Sequence, residues 1–114
     1  MIKVYGIKNC DSVKKALKFL KEHDLEYELH DFKKEAVDCT RIENWTKSVE
    51  MKQLFNTRET TYRTLKLKEL NLDDGQKLEW LCKENMLIKR PVIEYSPNKV
   101  LVGFDESIYT KELL

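Results

Sequence analysis

The chain has 114 residues, 41% of them hydrophobic and 36% charged, with a formal net charge of +1. That size and balance suit one soluble globular domain and exclude a disordered chain; the near-zero charge excludes an overall field that would recruit nucleic acid or a membrane. No apolar run approaches transmembrane length and no signal-peptide pattern follows Met1, so the expected location is the cytoplasm. The three cysteines, Cys10, Cys39 and Cys82, form neither a CxxC nor a zinc spacing, and His23 and His30 add no metal motif. Free thiols and no metal site are therefore expected in a reducing compartment.

Ile2, Val4 and Tyr5 suit a buried first strand. It leads into Tyr5-Gly6-Ile7-Lys8-Asn9-Cys10-Asp11-Ser12, and a periodic helix leaves that stretch. From Ser12 to His23, Val13, Ala16, Leu17 and Leu20 follow the i, i+3, i+4, i+7 pattern of one apolar face. Lys14, Lys15, Lys18 and Lys21 fall on the other side and read as a solvated face. Cys10 thus sits where a strand turns into a helix. Unpaired N–H groups and the helix dipole favour negative charge there, so a thiol in that setting is a candidate nucleophile. Leu25, Tyr27 and Leu29 alternate, so 25–32 reads as a second strand and completes a βαβ unit.

The pattern changes after Lys33. Thr40-Arg41-Ile42-Glu43 has the form of a capping box, followed by Ile42, Trp45 and Val49 on one face. Met51 to Phe55 reads as a short helical turn, and the polar run Asn56 to Arg63 as a loop or an irregular turn. Leu65, Leu67 and Leu70 suggest another short helix. Asp73 or Asp74 can cap a helix running to about Asn85, with Leu78, Leu81 and Cys82 facing inward. Cys82 reads as a core residue and Cys39 as an incidental thiol. Trp45 and Trp80 read as packing residues.

Strands return at Pro91–Tyr95 and Lys99–Gly103, with turn chemistry at Ser96-Pro97-Asn98, so these segments form an antiparallel hairpin. Phe104 to Leu114 can close the fold as a final helix. Proline lacks a ladder donor and belongs at the start of a strand; a cis Arg90-Pro91 bond would aim Arg90 toward Cys10. The order is βαβ, a helical insert, then ββα. It predicts an α/β fold with one four-stranded mixed sheet, a core of about 1–35 and 86–114, and an insert of about 36–85.

The βαβ–ββα order, with a cysteine at the first helix and a proline opening the third strand, resembles the thioredoxin fold. The helical insert, together with Tyr5-Gly6-Ile7-Lys8-Asn9-Cys10-Asp11, Asn56-Thr57-Arg58, Ile88-Lys89-Arg90-Pro91 and Leu101-Val102-Gly103-Phe104, resembles the arsenate reductase (ArsC) family, in its Spx/ArsC-like branch. The resemblance implies Cys10 as catalytic cysteine, with Arg58 from the insert and Arg90 as oxyanion donors. Lys8, Asn9, Asp11 and Pro91 are the implied substrate-binding neighbours. It further implies no bound cofactor, with glutathione as co-substrate and glutaredoxin as a possible partner.

Three departures from the family pattern matter. Gly103 stands where arsenate reductases carry a third arginine, Gly6 falls near the position of a histidine that precedes their cysteine, and Val13 occupies the place of the second cysteine of Spx redox switches. A glutathione-linked thiol is therefore expected as a better substrate than arsenate. The alternative is an Spx-like regulator that binds RNA polymerase, without direct nucleic-acid contact and without turnover.

Overall fold

The computed structural model describes residues 1–114. Its first strand, β1 (Ile2–Gly6), runs into α1 (Asp11–Glu22), and the chain returns through β2 (Tyr27–Asp31). After a stretch of helices come β3 (Val92–Tyr95), β4 (Lys99–Val102) and a terminal helix over Glu106–Leu113. The four strands form one sheet in the order β2-β1-β3-β4. β1 and β2 are parallel, while β3 is antiparallel to both β1 and β4. This is the predicted mixed sheet of an α/β fold; β1 runs on to Gly6, β2 is shorter than the 25–32 pattern suggested, and β3 and β4 each lose one end residue, Pro91 and Gly103.

Two compact units make up the chain: residues 1–35 with 90–114, and residues 36–89. In the first, alternation along β1 sends Val4 to the face that α1 covers. Val4 and Ile93 pack there with Ala16, Phe19 and Leu20 of α1 and with Tyr109 of the terminal helix. Phe19, Phe104 and Tyr109 meet edge to face, with centroids 4.9 to 6.3 Å apart. Gly6 lets the strand approach the helix, because a Cβ at that position would lie 2.6 Å from Val13 Cγ2. Only glycine avoids that clash without displacing a stiff β-branched side chain.

The second unit contains no strand of its own. It holds α2 (Cys39–Trp45), α3 (Met51–Leu54), α4 (Thr60–Thr64), a 3-10 turn (Leu67–Leu70) and α5 (Asp74–Lys83); the terminal helix of the first unit is α6. The cap of α2 is Asp38, whose carboxylate accepts from the Thr40 N–H at 2.9 Å, not the Thr40 box read from sequence. Capping boxes instead open α3, through Glu50 and Gln53, and α5, through Asp73 and Gln76. The polar run expected as loop becomes α4 in its second half, a helix with no buried residue. Lys89 N–H donates to the Leu54 carbonyl at 2.7 Å and Asn56 N–H to the Leu87 carbonyl at 2.9 Å, around a Phe55–Ile88 bridge. These bonds extend the insert to Lys89 instead of 85.

The expectation of three free thiols is overturned. Cys39 and Cys82 form a disulfide across 43 positions, with their Cα atoms 5.0 Å apart. Cys39 opens α2, Cys82 lies in the last turn of α5, and these two helices pack together. Nothing in the local sequence around either cysteine carries that pairing. No helix is long and apolar enough to cross a membrane.

Candidate functional site

Strand register gathers one set of groups at a single end of the sheet. Gly6 ends β1 opposite Asp31 of β2, and Tyr5 pairs with Val92, the first residue of β3. The segment Ile7–Cys10 that leaves β1 and the Arg90-Pro91 pair that enters β3 therefore share this end. Val92 in turn pairs with Val102, which brings Gly103 to the same place. Gly103 N–H donates to the Pro91 carbonyl at 2.8 Å. The Arg90-Pro91 bond is cis, as the sequence suggested, and Pro91 is buried.

Cys10 is the one free cysteine and is half-buried. It is the N-cap residue of α1 in an extended conformation, and its side chain makes no capping hydrogen bond. Its carbonyl accepts the first helical bond from Lys14 N–H at 3.0 Å. Cys10 N–H donates back to the Ile7 carbonyl at 3.4 Å, closing a turn that leaves Lys8 and Asn9 exposed. Asp11, also exposed, supplies the acidic group of the first helical turn, where the helix dipole favours it. The sulfur thus sits ahead of a twelve-residue helix whose leading N–H groups have no partner within the helix. Negative charge that develops on a bound substrate there meets positive partial charge.

Cys10, Arg90, Pro91, Lys8, Asn9 and Asp11 all belong to the sheet unit and to this end of it. Arg58 belongs to the insert. It is exposed in the turn before α4, where its N–H donates to Asn56 Oδ1 at 3.0 Å. Lys99 opens β4 at the opposite end of the sheet.

Three features of this end escaped the sequence reading. Tyr5 and His30 stack with centroids 4.7 Å apart and planes 13° from parallel, on the face opposite Val4. His30 also lies 3.6 Å from Glu28 and pairs with it when protonated. Parallel register brings these residues together, and only the alternation of 25–32 hinted at it. Gly103 adopts a φ of 81°, a conformation that side chains rarely accept. Its carbonyl also accepts the Tyr109 hydroxyl from α6. Burial pushes that hydroxyl's ionisation above the ordinary phenol range. Gly103 is therefore fixed by the backbone, whatever chemistry its missing side chain permits.

The ArsC family model matches residues 5–111. An uncharacterised protein of Haemophilus influenzae is 43% identical over 110 residues, covering 96% of each chain. The global transcriptional regulator Spx of Listeria innocua is 27% identical over 108 residues, 93% of this chain and 82% of that one. Among solved structures, an arsenate reductase related protein from Brucella melitensis is 36% identical, with a TM-score of 0.75 over 98% of this chain and 93% of that one.

Proposed function

The chain belongs to the ArsC family, and from that premise we propose that it is a thiol-dependent reductase with Cys10 as nucleophile and glutathione as co-substrate. The observation that carries this reading is the placement of the sole free thiol at the head of α1, on the sheet end it shares with Arg90 and Pro91. Val13, one turn into the helix, is fully buried against Gly6 and offers no second thiol. Resolution then comes from outside the site.

With a glutathione mixed disulfide as substrate, the Cys10 thiolate attacks the glutathionyl sulfur. The S–S bond breaks, the substrate thiolate leaves and takes a proton from water, and Cys10 becomes glutathionylated. A second glutathione thiolate, or a glutaredoxin thiol in its place, attacks that new bond and releases Cys10. With glutathione the sum is one mixed disulfide and one thiol converted to the reduced substrate and glutathione disulfide. Arg90 offers a planar fork for a glutathione carboxylate, and the family resemblance assigns Arg58 a similar duty from the insert. Lys8, Asn9, Asp11 and Pro91 would border the bound substrate. A cytoplasmic setting, rich in glutathione, fits this chemistry.

Arsenate is the weaker substrate in this reading. A compact oxyanion needs several convergent donors, and a lost charge-assisted contact costs about 1.5–3 kcal/mol. Gly103 supplies no side chain, and its φ of 81° resists acquiring one. The test is turnover of arsenate and of a glutathione mixed disulfide by purified protein, with glutathione and with glutaredoxin. Efficient reduction of the mixed disulfide that vanishes in Cys10→Ser is expected. Preference for arsenate would overturn the substrate assignment, and no thiol-dependent turnover at all would overturn the enzyme.

A second reading rests on the similarity to the Spx regulators over 93% of this chain: a polymerase-binding protein without turnover. Stoichiometric co-purification with RNA polymerase, in a protein that reduces neither substrate, would favour it.

A further inference from the structure

The Cys39–Cys82 bond lies in the insert, and the Cys10 chemistry makes no use of it. Cys39 is exposed and Cys82 half-buried. An external thiolate can therefore reach the Cys39 sulfur without opening a core. Exposed disulfides are among the more readily reduced.

Two kinds of fastening hold the insert. The segment Leu54–Asn56 is tied to Leu87–Lys89 by backbone hydrogen bonds that no thiol affects. The start of α2 is tied to the end of α5 differently. Val37 N–H donates to Asn85 Oδ1 at 2.8 Å, Asn85 Nδ2 donates to the Leu81 carbonyl at 2.9 Å, and the disulfide lies beside this clamp in sequence. α2 has only seven residues, too few to persist alone. Its hold depends on buried Ile42 and Trp45, the Asn85 clamp and the covalent bond.

We propose that Cys39–Cys82 is a second thiol–disulfide exchange site, opened by a low-molecular-weight thiol and closed again by the matching disulfide, which sets how firmly α2 is held on α5. A glutathione thiolate attacks Cys39 Sγ, the protein S–S bond breaks, and Cys82 leaves as a thiolate that takes a proton from water. A second glutathione thiolate attacks the Cys39 mixed disulfide. Glutathione disulfide departs and Cys39 becomes a thiol. Two glutathione thiols are oxidised and one protein disulfide is reduced. The proposal goes beyond the Cys10 reading and does not depend on it.

The test uses Cys10→Ser, in which Cys39 and Cys82 are the only sulfhydryl groups left. The protein is equilibrated in glutathione buffers of varied reduced-to-oxidised ratio, then alkylated with iodoacetamide and weighed. The expected result is no label under oxidising buffer and two labels, gained together and reversibly, under reducing buffer. Opening should speed amide exchange in α2 by roughly tenfold or more and red-shift Trp45 emission. The Asn56 and Lys89 amides should keep their protection. Cys39→Ser/Cys82→Ser should show fast α2 exchange in every buffer. A bond that stays closed in excess reduced glutathione, or opens with α2 exchange unchanged, would overturn the proposal. Loss of Cys10-dependent turnover in wild type would leave these readouts untouched.

Discussion

The sheet unit and the insert solve the same problem in different ways. In the sheet unit, neighbours distant in sequence are fixed by strand register, and one hydrophobic cluster runs from Val4 through Phe19 to Tyr109. Its candidate site follows from that register, because the end of β1, the start of β3 and the end of β4 must coincide. The insert has helices of four to ten residues, each too short to stand alone. Side-chain caps at Asp38, Glu50 and Asp73, the short bridge at Phe55–Ile88 and one disulfide hold them. A rigid sheet can present a nucleophile at constant geometry. A stapled set of short helices can change its order when one covalent bond changes.

The sharpest way to break this contrast is to move the chemistry. Cys10→Ser should lower thiol-dependent turnover on the order of 10³-fold or more, with the circular dichroism spectrum preserved. Turnover that instead disappears with Cys39 and Cys82 would place the nucleophile in the insert.

Removing the staple probes the other side. Cys39→Ser/Cys82→Ser should cost ~2–5 kcal/mol of stability. Hydrogen exchange should rise in α2, stay slow at Asn56 and Lys89, and stay slow in β1 and β3. Equal loss of protection in both units would mean that the two units unfold as one.

Gly6→Ala tests the strand–helix approach within the sheet unit. The new methyl meets Val13 Cγ2, and overpacking of this kind costs about 1–3 kcal/mol. Denaturant melts should show that loss, and Gly6→Ala/Val13→Ala should recover part of it. No recovery would mean that the close approach to Val13 is not what requires glycine.

The smallest effect belongs to Tyr109→Phe, which removes the donor to the Gly103 carbonyl and should cost about 1 kcal/mol near neutral pH. The same residue gives the sheet unit an alkaline limit. Burial holds the folded hydroxyl's pKa above the ordinary value of 10.0, so the unfolded chain loses that proton first. Stability from this group is therefore complete below about pH 10 and falls as pH rises beyond it. Tyr95 shifts in the same direction, through burial and then the Glu112 carboxylate. Melts between neutral and strongly alkaline pH should show a shallower decline in Tyr109→Phe than in wild type.

Much of the sheet unit was readable before any coordinates, because its signals are local and periodic. The i, i+3, i+4 spacing of Val13, Ala16, Leu17 and Leu20 locates α1 to within a residue. Alternation locates β2, and Ser96-Pro97-Asn98 marks the hairpin. The insert was harder to read. Thr40 looked like the cap because it precedes Ile42 and Glu43 at the right spacing, yet Asp38, two residues earlier, accepts the Thr40 N–H and starts the helix ahead of it. α4 carries no apolar stripe, so periodicity gave it no signal.

The sequence alone determined the order of elements in the sheet unit, the candidate nucleophile Cys10 and the pairing of arginine with proline at 90–91, since each depends on neighbours along the chain. Tertiary structure decided what depends on neighbours across it. The parallel register of β1 and β2 stacks Tyr5 on His30. The meeting of α2 and α5 turns two cysteines 43 residues apart into one bond. At Gly103, a φ of 81° and hydrogen bonds to Pro91 and Tyr109 show a backbone demand that its identity as glycine only permits. Local spacing fixes which face a side chain occupies; which partner that face meets is set by how the elements pack.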